Sequence, residues 1–126
     1  MRLLYCYIFI AFFLISGCGK DTSKPDNTGK TLSATYTFAT AGQTDGGYFD
    51  NSRKEQRGFT INASKSFSDN VRVGDEIRLF MNRQSISSIG NFQIRLSING
   101  KFIQEVDGND KLNIQLLYRV TDKDFQ

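Results

Sequence analysis

An antiparallel β-sandwich is the fold that this sequence of 126 residues predicts. Three observations predict it. Apolar and polar residues alternate with a period of two along most of the chain, the mark of strands with one dry face and one wet face. No stretch carries a convincing 3.6-residue apolar period. Asn99-Gly100 sits between two alternating runs, and that dipeptide suits the type I′ turn, which needs positive φ at both central residues. Connections this short favour antiparallel neighbours, because parallel strands need long crossovers. About seven short strands are expected, with a small closed β-barrel as the alternative architecture.

Each element can be justified in turn. The first strand, 34–39, turns Tyr36 and Phe38 inward. Thr44-Asp45-Gly46-Gly47 opens what reads as a long loop running to Glu55. Phe59, Ile61, Ala63 and Phe67 share one parity, with Thr60, Asn62, Ser64 and Ser66 on the other. Val73-Gly74-Asp75 reads as a tight turn before Ile77, Leu79 and Met81. Phe92, Ile94, Leu96 and Ile98 alternate with Gln93, Arg95 and Ser97. Asp107-Gly108-Asn109-Asp110 reads as a hairpin turn before Leu112, Ile114, Leu116, Tyr118 and Val120. Phe59, Ile61, Ile77, Leu79, Ile94, Leu96, Ile114 and Leu116 form the expected heart of the core.

The N-terminus has a different character. Arg2 precedes an unbroken apolar run, Leu3 to Ile15. Thirteen residues are too few for a bilayer span, which takes roughly 20, but suit the central region of a secretory signal. Ile15-Ser16-Gly17-Cys18 follows at once and resembles the lipobox of bacterial lipoproteins. The resemblance implies cleavage before Cys18 and a diacylglyceryl thioether on its sulfur. The expected organisation is a signal peptide over 1–17, a lipidated Cys18 with a flexible tether over 18–30, and a β-sandwich domain over 31–126. Cleavage would leave 109 residues without a thiol, since Cys6 departs with the signal and Cys18 is consumed. Lipidation implies a bacterial envelope location, and Gly19-Lys20-Asp21 partly resembles the export signal of surface lipoproteins of Bacteroidota, which favours the outer membrane and leaves its face open.

A second resemblance covers the domain. Thr35-Tyr36-Thr37-Phe38, Val73-Gly74-Asp75-Glu76-Ile77 and Ile94-Arg95-Leu96-Ser97-Ile98-Asn99-Gly100-Lys101 are laid out as in small β-sandwich lipoproteins of Bacteroidota. These are similar in turn to the extracytoplasmic domain of the mycobacterial MmpS family, accessory proteins of lipid exporters. The paired cysteines of many MmpS domains are absent here. The resemblance implies a sandwich and says little about a ligand.

Chemistry-bearing patterns are few. The sequence contains no His, which removes Ser-His-Asp and Cys-His catalysis and His-ligated zinc. Asp75-Glu76 is the only adjacent carboxylate pair, and successive strand residues point to opposite faces. Counted from Asp107, the Gly and Glu positions of a calcium loop hold Leu112 and Tyr118. No metal, cofactor or catalytic residue is therefore expected, and no enzyme activity; a hydrolase using carboxylates alone is the catalytic alternative. Basic and acidic residues, 16 and 13, are interspersed, which is no nucleic-acid footprint. The candidate ligand-binding loop is Tyr48, Phe49 and Arg53, two adjacent aromatics and an Arg beside glycines. Its alternative reading is a short strand with one ring packed inward. The expected function is a membrane-tethered, non-catalytic binding or accessory module for a protein or glycan partner, or else a structural subunit of a surface assembly.

Cys18→Ala is expected to abolish lipidation and to leave the precursor uncut at this site. Metabolic labelling with a clickable fatty acid checks this; equal labelling of variant and wild type would sink the lipobox reading.

Overall fold

The computed structural model describes residues 26–85 and 90–126. The lipobox, Cys18 and most of the expected tether lie outside these residues. The described chain forms eight strands: β1 (Leu32–Thr40), β2 (Thr44–Asp50), β3 (Glu55–Ile61), β4 (Lys65–Val71), β5 (Glu76–Arg83), β6 (Phe92–Ile98), β7 (Lys101–Asp107) and β8 (Asn113–Arg119). A short 3₁₀ turn, Asp122–Phe125, follows. No helix among the described residues is long and apolar enough to cross a membrane.

The strands form two four-stranded sheets, ordered β4-β1-β6-β7 and β3-β2-β5-β8. All their pairings are antiparallel. The sheets pack face to face without closing into a barrel, so the sandwich stands. Alternation puts one face of every strand inside. Ala34, Tyr36 and Phe38 of β1, Ile77, Leu79 and Met81 of β5, Phe92, Ile94, Leu96 and Ile98 of β6, and Ile114 and Leu116 of β8 are all buried. Burying each large apolar side chain stabilises the fold by roughly 1.5–3 kcal/mol before entropy is subtracted.

Asn99-Gly100 is a two-residue hairpin loop between Ile98 and Lys101, with φ of 51° and 77°. Both values are positive, as type I′ geometry requires. Arg72 to Asp75 is also a tight turn, closed by Asp75 N–H donating to Arg72 O at 3.0 Å with Gly74 at φ 90°.

Three expectations need correction. First, the stretch from Thr44 is not a loop but β2, an interior strand between β3 and β5. Its glycines hid it, since Gly weakens a strand and usually signals a turn. Here both are required by neighbours. A Cβ on Gly46 would lie 2.7 Å from the Phe59 ring, and one on Gly47 would lie 2.6 Å from both Arg57 O and the Phe80 ring. Phe59 and Phe80 are the direct cross-strand partners of these glycines, so each ring lies over a glycine floor. Second, the Phe59-to-Phe67 run is two strands of opposite sheets, and the intervening Ala63 is exposed. Third, Asp107 to Asp110 is no hairpin turn, because β7 and β8 belong to different sheets. Leu112, expected inside, is 42% exposed at this crossing. The carbonyls of Gly108, Asn109 and Lys111 all accept from the buried Arg83 guanidinium. Ahead of β1, residues 27–30 form a turn, with Lys30 N–H donating to Asn27 O at 3.1 Å and Asn27 only 6% exposed.

Gly100→Val is expected to lower stability by about 1 kcal/mol, the cost of a side chain in left-handed geometry, since nothing lies within reach of its Cβ. Gly47→Val should cost clearly more, because a backbone carbonyl stands in the way. Urea midpoints of the two variants give the order; equal midpoints would contradict it.

Candidate functional site

Antiparallel strands gather particular ends of the chain. The start of β1, the ends of β2 and β4 and the starts of β3 and β5 lie at one end of the sandwich. The tight turn at residues 51–54 joins β2 to β3 there. Within it, Asp50 Oδ1 accepts from Arg53 N–H at 3.0 Å, and Lys54 takes φ 58° to lead back into β3.

This turn is held from the opposite sheet by Asp69. Asp69 lies on the inward side of β4 and is 7% exposed. Its Oδ2 accepts from Asn51 N–H at 2.8 Å and from Tyr36 OH at 3.2 Å. Its Oδ1 accepts from Ser52 OH at 2.7 Å, Asn70 N–H at 2.7 Å and Ser52 N–H at 3.3 Å. A buried carboxylate needs such donors to offset its desolvation. Burial, then the charge of Asp69, pushes the Tyr36 phenol far above its ordinary range, so it stays a protonated donor.

Beside the Asp69 cluster lies an open cleft of about 270 Å³, lined by Ser33, Tyr48, Asp50, Ser52, Arg53, Ser68, Asp69 and Asn70. Its apolar wall is the Tyr48 ring, part of an aromatic chain. Tyr48 packs on Tyr36 at 5.3 Å between ring centres and on Phe67 at 5.1 Å, and Phe67 stacks on Phe59 at 4.8 Å. Phe59 meets Phe38 edge-on at 4.7 Å. Burial and the nearby Asp50 charge raise the Tyr48 phenol above its usual value. The Arg53 guanidinium makes no ion pair or hydrogen bond among the described residues. The carboxylates, by contrast, are engaged: Asp50 also faces Arg57 at 3.7 Å.

The three sequence-predicted residues are divided. Tyr48 and Arg53 share the cleft, whereas Phe49 points to the other face of β2. Adjacent strand residues must diverge in this way. Phe49 lines a second depression of about 290 Å³ with Asn51, Lys54, Gly74, Asp75, Glu76 and Arg78. Lys54 pairs with Asp75 at 3.6 Å there, and Arg78 pairs with Glu76. Tyr48 and Phe49 are thus strand residues with one ring inward; only Arg53 lies in a turn. The sequence reading missed Asp69, Ser33 and Ser68. Asp69 carried one signal: a carboxylate on the inward parity of an alternating strand, two residues from both Phe67 and Val71. No group of three His, Cys, Asp or Glu side chains suited to a metal occurs among the described residues.

Asp69→Asn puts an NH₂ where donors converge. It is expected to destabilise the domain by about 2–3 kcal/mol, the scale of stranded buried donors and a lost charged acceptor. Asp45→Asn should cost less than about 1 kcal/mol, since Asp45 is exposed and accepts from Thr60 OH alone. Denaturant melts decide between this and similar losses at both sites, which would remove Asp69 from its central place.

No protein-family model, curated protein or solved structure matches this chain.

Proposed function

We propose that this chain is a non-catalytic, membrane-tethered envelope lipoprotein whose binding surface is the Tyr48–Arg53 cleft. One observation carries the binding reading: the cleft combines the Arg53 guanidinium, unpaired among the described residues, with several hydroxyls and the Tyr48 ring as an aromatic wall, and Asp69 fixes from beneath the turn that carries Arg53. Preorganised polar groups beside a rigid ring are what a recognition site requires. The engaged state of the carboxylates supports a binding role over acid–base chemistry. Asp69 is filled by donors, and Asp50 serves the backbone of its own turn.

The anchored reading rests on Ile15-Ser16-Gly17-Cys18. A cleft wall, Ser33, is the second residue of β1, so the cleft stands at the end where the chain enters the sandwich. At most about 3.3–3.6 Å per residue separates Cys18 from Asp26, which keeps that end near the lipid surface. A second reading, a subunit of a surface assembly, is favoured by β8. This edge strand carries a single charge, Arg119, and its Leu117 is 54% exposed.

Thermal shift of the full chain against a panel of short saccharides and short peptides tests the binding reading. At least one class is expected to raise the melting temperature of wild type and to lose about tenfold in affinity with Arg53→Ala, and to be recovered unaltered. A panel that fails to distinguish wild type from Arg53→Ala, or that comes back cleaved, contradicts it.

A further inference from the structure

The outer face of the first sheet is built differently from that of the second. On the second sheet, Phe49, Phe80 and Leu117 share the outer face. On the first, the outward residues of β1 are Ser33, Thr35, Thr37 and Ala39, and those of β4 are Ser66, Ser68 and Asn70. Register arranges them in rows. Ser68 lies opposite Thr35, Thr35 opposite Ser97, and Ser97 opposite Phe102. One row therefore crosses all four strands as three hydroxyls and a ring.

Phe102 is 62% exposed, the most exposed of the large apolar residues. It stands out because a bulge in β7 opposite Leu96 and Ser97 of β6 resets the pairing, so that Phe102 and Glu105 both face outward. Arg95 supports it, with its guanidinium 5.9 Å from the Phe102 ring centre and bonded to Glu105 at 2.7 Å. At the other end the row does not stop at the sheet edge. Ser33, Ser68 and Asn70 also line the Tyr48–Arg53 cleft. Hydroxyls thus run without a break from an exposed aromatic ring to a polar cleft.

We infer that this row and the cleft form one continuous groove for a linear oligosaccharide, with Phe102 stacking on a sugar ring at its far end. This rests on the binding reading of the cleft and names its ligand class. The chemistry selects the occupant. The row itself carries no charge, the Arg95 guanidinium beside Phe102 is paired with Glu105, and Arg53 stands beyond the row in the cleft, so the row gives a phosphate backbone or an anionic bilayer no continuous basic track. It has no aliphatic side chain, so it lacks the apolar centre of a protein interface. A sugar matches both halves: its hydroxyls exchange hydrogen bonds with Ser and Thr, and its C–H face stacks on a ring. Three interstrand steps of about 4.8 Å give the row a length near 14 Å, enough for several sugar units before the cleft is reached.

The full lipidated chain in detergent, titrated with laminarin-, mannan- and xylan-derived oligosaccharides of two to eight units, tests this. In one series, affinity should rise with length and then level off. Phe102→Ala should erase the gain, lowering affinity for the longest members about tenfold while leaving the shortest unchanged; Phe102→Tyr should restore it. The exposed position of Phe102 keeps the variant folded, which its melting curve verifies. Length-independent binding, or long members indifferent to Phe102→Ala, overturns the groove. If those members still respond to Arg53→Ala, the cleft reading survives alone. Failure of every series to bind wild type also overturns the groove, and the peptide arm of the thermal-shift panel then decides the cleft.

Discussion

One buried carboxylate organises the cleft end of this sandwich. Asp69 belongs to one sheet, yet it fixes the turn that leaves β2 in the other. Backbone N–H groups of Asn51 and Ser52 would otherwise face the interior without acceptors. The same side chain takes the Tyr36 hydroxyl, which lets a polar ring sit fully inside the core. One residue therefore solves three satisfaction problems, and the cleft exists because the turn above it has a single position.

The side of the sandwich bearing edge strands β3 and β4 is closed by rings rather than by backbone. Tyr36, Tyr48, Phe67, Phe59 and Phe38 form a contiguous aromatic chain between the sheets. Gly46 supplies the room, since the Phe59 ring occupies the place its Cβ would take. Packing of the core and the shape of the cleft are thereby linked. The ring that seals the core at Tyr48 is also the apolar wall of the cleft.

The sandwich was legible wherever alternation was unbroken. Ile77 to Met81, Phe92 to Ile98 and Ile114 to Leu116 are buried in the pattern that their period implies. The Asn99-Gly100 turn was legible because its chemistry is local. Two features were hidden for opposite reasons. Strand β2 was concealed by Gly46-Gly47, whose role depends on rings from other strands and leaves no trace in its own segment. The change of sheet at residues 62–64 was concealed because parity continues from Phe59 to Phe67, and alternation alone does not say which sheet a strand joins. The candidate site was half legible. Arg53 and Tyr48 are drawn together, but their partners Ser33, Ser68 and Asp69 come from strands that only register brings alongside.

The exposed edge of β8 carries a further consequence. Edge strands with few charges and no bulge, as β8 with Arg119 alone, invite a second copy to continue the sheet. Antiparallel docking of β8 on β8 would point the two tether ends in opposite directions. If Cys18 is lipidated as proposed, two copies rooted in one leaflet would be held the same way up, so the membrane itself would disfavour that pairing. The proposed lipid would then be a polarity filter as well as an anchor: it would leave the edge open to a different strand approaching from solution and closed to an identical neighbour.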